Sequence, residues 1–320
     1  MKRIAVLTSG GDAPGMNAAV RSIVRVGYAR DLEIIGVYEG YKGLTEGNFK
    51  HLLPRDVSGI LEEGGTFLLS SRFEDFKDEE SQLKAIKNMK KDGIEGLIVI
   101  GGNGSQTGSL SLLRQGFPVV GVASTIDNDL WGTDYTVGFD TAVNTAIEAI
   151  DKIRDTAASH SRTFIVEVMG RNRGFIALDA GLASGADIVL IPEVKFDIDK
   201  IAKNIKESLG KRKRHHMIIT AEGAIHAQEL QKLLNDQLPD LEIKISVLGY
   251  IQRGGSPTRF DRIIATLFGS AAIDCLLKGD FGVVTGIKDN KIIYIPIEDA
   301  VLKTKEIDLS LYKTIEEVSV

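Results

Sequence analysis

Leu97-Ile98-Val99-Ile100 runs directly into Gly101-Gly102-Asn103-Gly104-Ser105. An unbroken apolar run, rich in β-branched residues, reads as a strand buried on both faces, and such strands belong to parallel sheets. The glycines behind it mark a turn in which backbone can approach a ligand closely. The same construction recurs on either side. Ile4-Ala5-Val6-Leu7-Thr8 leads into Ser9-Gly10-Gly11, and Pro118-Val119-Val120-Gly121-Val122 into Ala123-Ser124-Thr125. Helical patterns lie between the strands. Glu80–Lys91 is amphipathic, and Phe139–Ile153 places Val143, Ala146, Ile147, Ile150 and Ile153 on one face. Further strands are predicted at Thr163–Val168, Ile188–Ile191 and Met217–Ala221. This alternation gives an α/β protein of two doubly wound, mostly parallel-sheet domains. The chain changes domain near Gly138-Phe139-Asp140 and returns near the turn Gln252–Pro257. The first domain is therefore expected at 1–138 plus about 252–305, and the second at 139–251 plus about 306–320.

Composition removes several function classes. Among 320 residues, 39 Lys and Arg stand against 44 Asp and Glu, so no blanket attraction for nucleic acid is expected. Cys275 is the single cysteine, which leaves no intramolecular disulfide and no cysteine-based zinc cage. The apolar runs are strand-sized, well short of the ~20 residues of a membrane span. Met1–Thr8 is too short in apolar residues for a leader. The expectation is a cytoplasmic protein with neither nucleic acid nor membrane as partner.

Ligands of open α/β sheets bind outside the carboxyl ends of the strands. Ser9-Gly10-Gly11-Asp12-Ala13-Pro14-Gly15-Met16-Asn17 is one such loop, entering a helix whose N-terminus attracts phosphate. It is not a P-loop, because Met16-Asn17 stand where Lys-Ser/Thr belongs. Gly101–Ser105 is a second candidate phosphate nest, although strand-to-helix turns are often glycine-rich for geometry only, and Thr107 breaks the dinucleotide fingerprint. Thr125-Ile126-Asp127-Asn128-Asp129 carries two carboxylates that can divide into a base and a cation partner, or can simply form an Asx-rich turn. Beside two phosphate-type loops they make a kinase-like set, with Arg72, Arg162, Arg171 and Arg253 as candidate anion clamps. Lys211-Arg212-Lys213-Arg214-His215-His216 is the one charge block, read as a solvated loop or an anion site.

The stretch Leu7–Asn17, the Gly101–Ser105 loop and Thr125–Asp129 together resemble the bacterial ATP-dependent 6-phosphofructokinase family. So do Ile153–Ala157, Val168–Arg171, Ala221–Gly223 and Gln252–Pro257, in family order along essentially the whole chain. The resemblance implies phosphoryl transfer from Mg-ATP to the 1-hydroxyl of fructose 6-phosphate, a step of glycolysis, with the active site in the cleft between the domains. It implies Asp127 as general base, with Thr125, Asp129 and Arg171 beside it in catalysis. Gly11, Tyr41, Arg72, Phe73, Gly102, Asn103, Gly104 and Ser105 would bind ATP, and Asn103 and Asp129 the Mg²⁺. Thr125, Ile126, Asp127, Arg162, Met169, Gly170, Arg171, Glu222, Lys244, Tyr250 and Arg253 would meet the sugar phosphate. Arg162 and Lys244 would arrive from a neighbouring subunit of a homotetramer. An ADP or phosphoenolpyruvate effector would sit on Arg21, Arg25, Arg154, Gly185, Asp187, Lys211, Lys213, Arg214 and His215.

This chain departs from the family pattern at several points. Asn103 replaces the aspartate of the usual Gly-Gly-Asp-Gly-Ser loop, and Ala123-Ser124 replace Pro-Gly. Asn172-Arg173 follow the catalytic arginine, adding a bulky cation there. Lys244 and Tyr250 replace arginine and histidine, and a lysine cannot form a bidentate fork. Near the effector residues, Pro54 stands for arginine and Asp187 for glutamate. Three readings follow: an active kinase with altered kinetics, a silent ligand-binding paralogue that regulates an active partner, or a pyrophosphate-dependent enzyme. In the last branch, aspartate is typical at position 104 and lysine at 124; this chain has Gly104 and Ser124.

Overall fold

A computed structural model describes residues 1–210 and 215–319. The chain divides into two units, Met1–Thr141 with Arg253–Lys305 and Ala142–Gln252 with Glu306–Val320. The first opens with β1 (Arg3–Thr8), α1 (Met16–Tyr28), β2 (Glu33–Val37), α2 (Gly40–Glu46) and β3 (Phe49–Leu52). It continues through α3 (Glu79–Lys91), β4 (Gly96–Gly101), α4 (Asn103–Arg114) and β5 (Val119–Ala123). Helix α5 (Phe139–His160) leads into the second unit, with β6 (Thr163–Val168), α6 (Phe175–Ser184), β7 (Ile188–Leu190) and α7 (Ile198–Gly210). There β8 (His216–Ala221), α8 (Ala227–Gln237) and β9 (Ile243–Val247) follow. The chain returns through α9 (Arg259–Lys278), β10 (Val283–Lys288), β11 (Lys291–Pro296) and α10 (Ile297–Leu302), then ends in α11 (Leu309–Val318) of the second unit.

The first sheet has the order β11-β10-β5-β4-β1-β2-β3. Its central pairs are parallel, and antiparallel partners β11 and β3 close the two edges. Ile4–Leu7 and Leu97–Ile100 are fully buried, as strands covered on both faces require. The order reverses at β1, whose neighbours are β4 and β2, so the crevice for a ligand opens at the carboxyl ends of β1 and β4. Both strands end in the glycine loops.

The second sheet, β7-β8-β6-β9, is parallel throughout. Val168 pairs with Ala221, so Met169-Gly170-Arg171 and Glu222-Gly223 leave the sheet side by side. Its core gathers Ile165, Leu190, Ile205, Ile218, Leu230 and Leu234.

Some elements differ from the expected ones. Helix α5 runs to His160 rather than Ile153. The added turns carry polar residues that need no buried face. Strand β9 was not anticipated, although Ile243-Lys244-Ile245-Ser246-Val247 alternates as an exposed edge does. The first chain crossing falls after Thr141. A buried carboxylate anchors it: Asp261 of α9 accepts from the backbone of Gly138 and Thr141 at 2.8 Å each and from the Thr141 hydroxyl at 2.5 Å. Burial pushes the Asp261 carboxyl up to about 6 against the pull of those donors. Thr258 caps α9, accepting from Asp261 N at 3.2 Å.

Candidate active site

In the first unit, three loops meet with no room for side chains. A Cβ on Gly101 would lie 2.7 Å from Ser9 O, one on Gly10 3.2 Å from Ser105 Oγ, and one on Gly102 3.0 Å from Thr125 Cβ. The backbone is tied to match: Ser9 N donates to Ile100 O at 3.0 Å and Ser124 N to Gly101 O at 3.2 Å. Helix α4 begins at Asn103, so the N–H groups of Asn103, Gly104 and Ser105 face the crevice without intrahelical acceptors and favour an anion. Nothing lies within 4 Å of a Cβ built on Gly104.

Arg72 and Phe73 follow a stretch that Ser70 pins to this loop, its hydroxyl donating to Gly10 O at 2.7 Å. The Arg253 guanidinium packs on Gly11, where a Cβ would come within 2.9 Å of it. Tyr41, expected among the nucleotide contacts, is instead buried beneath α4. Its hydroxyl donates to Ser105 O at 2.5 Å, and its ring stacks on Phe76 at 4.2 Å. Burial drives the Tyr41 hydroxyl pKa upward, so it stays a neutral prop under the loop.

Asp127 is 6% exposed and follows Thr125, whose hydroxyl accepts from Asp127 N at 3.2 Å. Asn128, between the two carboxylates, holds a left-handed φ of 50°. Its amide bridges to the next segment, donating to Asp134 O and accepting from Thr136 N, each at 3.1 Å. Thr136 in turn donates to Thr125 O at 2.6 Å. The Asn103 amide reaches Asp129 O at 3.5 Å, which sets the two proposed ion partners next to each other. Among the described residues, no three His, Cys, Asp or Glu side chains form a metal cage. Asp129 and the Asn103 amide offer oxygens of the kind a hard divalent cation takes beside substrate phosphates.

The second unit builds its own cluster. Glu222 Oε1 accepts from Gly170 N at 3.2 Å and Arg171 N at 2.8 Å, shaping a turn in which Arg171 takes φ 53°. A Cβ on Gly223 would lie 2.0 Å from Arg171 O, so only glycine fits there. Met169 N donates to buried Gln252 Oε1 at 3.3 Å. Arg173, the added cation, is drawn to Glu193 at 3.6 Å, and Glu193 also accepts from Gly174 N at 3.2 Å.

Arg162 and Lys244 share one carboxylate: Glu242 takes Arg162 Nε at 2.7 Å and Lys244 Nζ at 3.0 Å. Lys244 first, then Arg162, holds the Glu242 carboxyl below its usual range. Tyr250 is 78% exposed. Of the effector residues, Arg21 and Arg25 lie one turn apart on α1 of the first unit, while Arg154, Gly185, Asp187 and His215 belong to the second. Arg154 donates to Ser184 O and Gly185 O, and Asp187 accepts from Met217 N at 2.6 Å. Lys211, Lys213 and Arg214 lie outside the described residues.

Glu242 and Glu193 were given no role from the sequence, and Gln252 and Asn128 were named only as members of their motifs. Their partners lie 80, 19 or 83 residues away, or depend on a backbone angle. Asp261 did carry a signal, because Thr258-x-x-Asp261 has capping-box spacing with an acidic third residue.

An α/β fold with two phosphate-accepting glycine loops and a buried carboxylate at their side defines a phosphotransferase. The phosphofructokinase family profile matches residues 3–276. The chain is 49% identical over 320 residues to an ATP-dependent 6-phosphofructokinase of Lysinibacillus sphaericus, covering all of both. It is equally similar, 49% over the same full length, to that of Enterococcus faecalis. A phosphofructokinase structure from Pichia pastoris superposes with a TM-score of 0.90 at 37% identity, covering 99% of this chain and 37% of that longer one. A pyrophosphate-dependent phosphofructokinase from Marinobacter aquaeolei shares the fold, with a TM-score of 0.85 at 21% identity, 97% of this chain and 86% of that one being covered. The chain belongs to the phosphofructokinase family.

Proposed function

We propose that this chain is a glycolytic kinase that moves the γ-phosphoryl group of ATP to the 1-hydroxyl of fructose 6-phosphate, with Mg²⁺ as its ion. The observation that carries this reading is the convergence of Gly10, Gly101, Gly102 and Thr125 beside buried Asp127. Backbone N–H groups there are placed for phosphates, and a base stands next to them. Full-length relatives named for the ATP-dependent reaction support the choice of donor.

Asp127 takes the proton of the sugar 1-hydroxyl as its oxygen forms the bond to phosphorus and the bond to the departing diphosphate breaks. Thr125 and Asn128 hold the Asp127 loop, and Arg171 offsets the charge of the transferring group. The ion would be held by Asp129 and the Asn103 amide oxygen, and when bound it neutralises phosphate charge. Gly11, Arg72, Phe73 and Gly102–Ser105 bind ATP. Ile126, Arg162, Met169, Gly170, Glu222, Lys244, Tyr250 and Arg253 receive the sugar phosphate.

Gly104 leaves open space where adenosine-bearing phosphates need it, and Ser124 is buried with its hydroxyl on Val137 O at 3.3 Å. Position 124 thus lacks the lysine typical of the pyrophosphate-dependent branch, which favours ATP over pyrophosphate. Arg162 and Lys244, partly exposed beside edge strand β9, suit donation to a neighbouring subunit of a homotetramer. An anionic effector is assigned, on the family resemblance, to Arg21 and Arg25 of the first unit and to Arg154, Gly185, Asp187 and His215 of the second, with Lys211, Lys213 and Arg214 assigned from the sequence alone.

A coupled assay of purified protein with ATP and with pyrophosphate tests the reading. Turnover of fructose 6-phosphate is expected with Mg-ATP. Turnover with pyrophosphate alone, or with neither donor, overturns it.

A further inference from the structure

Asp134 O is shared. Asn128 Nδ2 donates to it at 3.1 Å from the Asp127–Asp129 loop, and Lys305 Nζ donates to it at 2.9 Å. A carbonyl has two lone pairs, so it can accept both donors at once. Lys305 is the last residue of the first unit before the chain passes to the second, and α10 ends three residues earlier at Leu302.

The segment around Asp134 is itself fixed on the β10 side. Asp134 N donates to Ile287 O at 2.8 Å, Asp289 N donates to Asp134 Oδ2 at 2.9 Å, and the Thr133 hydroxyl sits between Ile287 N and Ile287 O. One further contact ties the crossing segment down: Lys303 Nζ lies 4.3 Å over the ring of Trp131, two residues beyond Asp129. Asp299 accepts from Lys303 at 2.9 Å and keeps that ammonium in place.

We propose that Lys305 is a positioning residue for Asp127, acting through the Asp134 carbonyl that it shares with Asn128, with Lys303 on Trp131 as the second anchor of the same strap. Asn128 tolerates its left-handed backbone as asparagine does, and what holds its loop is the pair of amide contacts to Asp134 O and Thr136 N, the first of which Lys305 shares. Lys305 polarises the Asp134 carbonyl and limits its movement. Asn128 then keeps the angle that separates the Asp127 and Asp129 carboxylates. The inference rests on the reading of Asp127 as the base.

The full-length chain supplies its own probe, since Trp131 is its only tryptophan. Lys305→Met keeps the side-chain length and removes the donor. It is expected to lower kcat about 5-fold, the weight of one hydrogen bond, with the KM for ATP changed less than about 2-fold. Acrylamide quenching of Trp131 should rise in the same variant, and Lys305→Arg, which restores a donor, should recover most of both. In an Asn128→Ala background, Lys305→Met should cost less than about 2-fold more, because groups on one path are not additive. Parental kcat and quenching in Lys305→Met overturn the proposal, and so does an undiminished 5-fold loss in the double variant. A parental chain inactive with every donor would remove the base reading instead. Quenching would still show whether Lys305 holds the strap.

Discussion

The two regions of this chain proposed to receive anions are built in opposite ways. In the first unit, the crevice at β1 and β4 is made of backbone: Gly101 approaches its neighbours so closely that a side chain is excluded, and Gly10 and Gly102 are tightly packed beside it. In the second, the corner at β6 and β9 is made of side chains, Arg162 and Lys244 gathered on Glu242 and partly open to solvent. Shape in the first region survives a side-chain change, so Asn103 alters charge there and leaves the frame alone. Shape in the second region is the side chains themselves, so Lys244 and Tyr250 alter the receptor directly. A substitution in the packed region should therefore act on turnover, and one in the open region on affinity.

The largest effect is expected at the buried carboxylate. Asp127→Ser should lower kcat by ~10²–10⁴-fold with little change in sugar-phosphate affinity, as removal of a positioned base does. Steady-state kinetics beside a binding titration checks this, and near-parental turnover would remove Asp127 from the chemistry. Next comes Asn103→Asp. A carboxylate at this loop should raise kcat at saturating Mg-ATP by up to ~10²-fold, the scale of one preorganised electrostatic contact, while nucleotide affinity stays near parental. A changed affinity with unchanged kcat would break the contrast between the two regions.

The open corner should respond more mildly and in the other parameter. Lys244→Arg with Tyr250→His should lower the KM for fructose 6-phosphate by about 3–10-fold, since each restores a charge-assisted contact worth a little over a neutral one. Unchanged KM together with raised kcat would show that this corner does not receive the phosphate.

The remaining effect concerns stability alone. Asp261 has a folded-state pKa raised to about 6, above the ordinary carboxyl near 3.9. The folded chain therefore holds this proton more tightly, so the contribution is fully present below pH ~4 and is lost as pH rises through about 6. Its size is on the order of 3 kcal/mol, about two pKa units at about 1.4 kcal/mol each. Urea midpoints of the parental chain and Asp261→Asn, compared between pH 4.5 and 7, should differ in slope by this component. Parallel profiles would mean that the three donors on the carboxylate cancel its burial.

The strands that position the crevice were legible because Ile4–Leu7 and Leu97–Ile100 are buried on both faces and leave no polar alternation to confuse the reading. Their loops were legible because glycine is required where backbones touch. Edge elements were missed although they carry signals: β9 alternates with period 2, and the hairpin β10–β11 turns at Asp289-Asn290 between β-branched runs. Within the site, motif positions could be named, but Glu242, Glu193 and the Asn128 bridge could not. Carboxylates that hold cations or backbone across the fold follow no spacing rule. The departure at Arg173 looked from the sequence like an added charge beside Arg171, yet Glu193 draws it away at 3.6 Å. Tyr41 looked like a ligand and is a buried prop, a distinction that only burial reveals.

The chain leaves the first unit after Thr141 and re-enters it at Arg253, and Thr258 N donates to Thr141 Oγ1 at 3.0 Å. The exit and re-entry points are thus knotted together within the first unit, with Asp261 as the buried clasp. In topological terms, residues 142–252 are an insertion that leaves and rejoins the first unit at neighbouring residues, while Glu306–Val320 belongs to the second unit through a further crossing after Lys305. Joining Thr141 to Arg253 through a short flexible linker and ending the chain at Lys305 should therefore yield a self-contained nucleotide-side module with its seven strands in register. An exchange of the second unit between relatives has to carry the C-terminal helix along with the insertion.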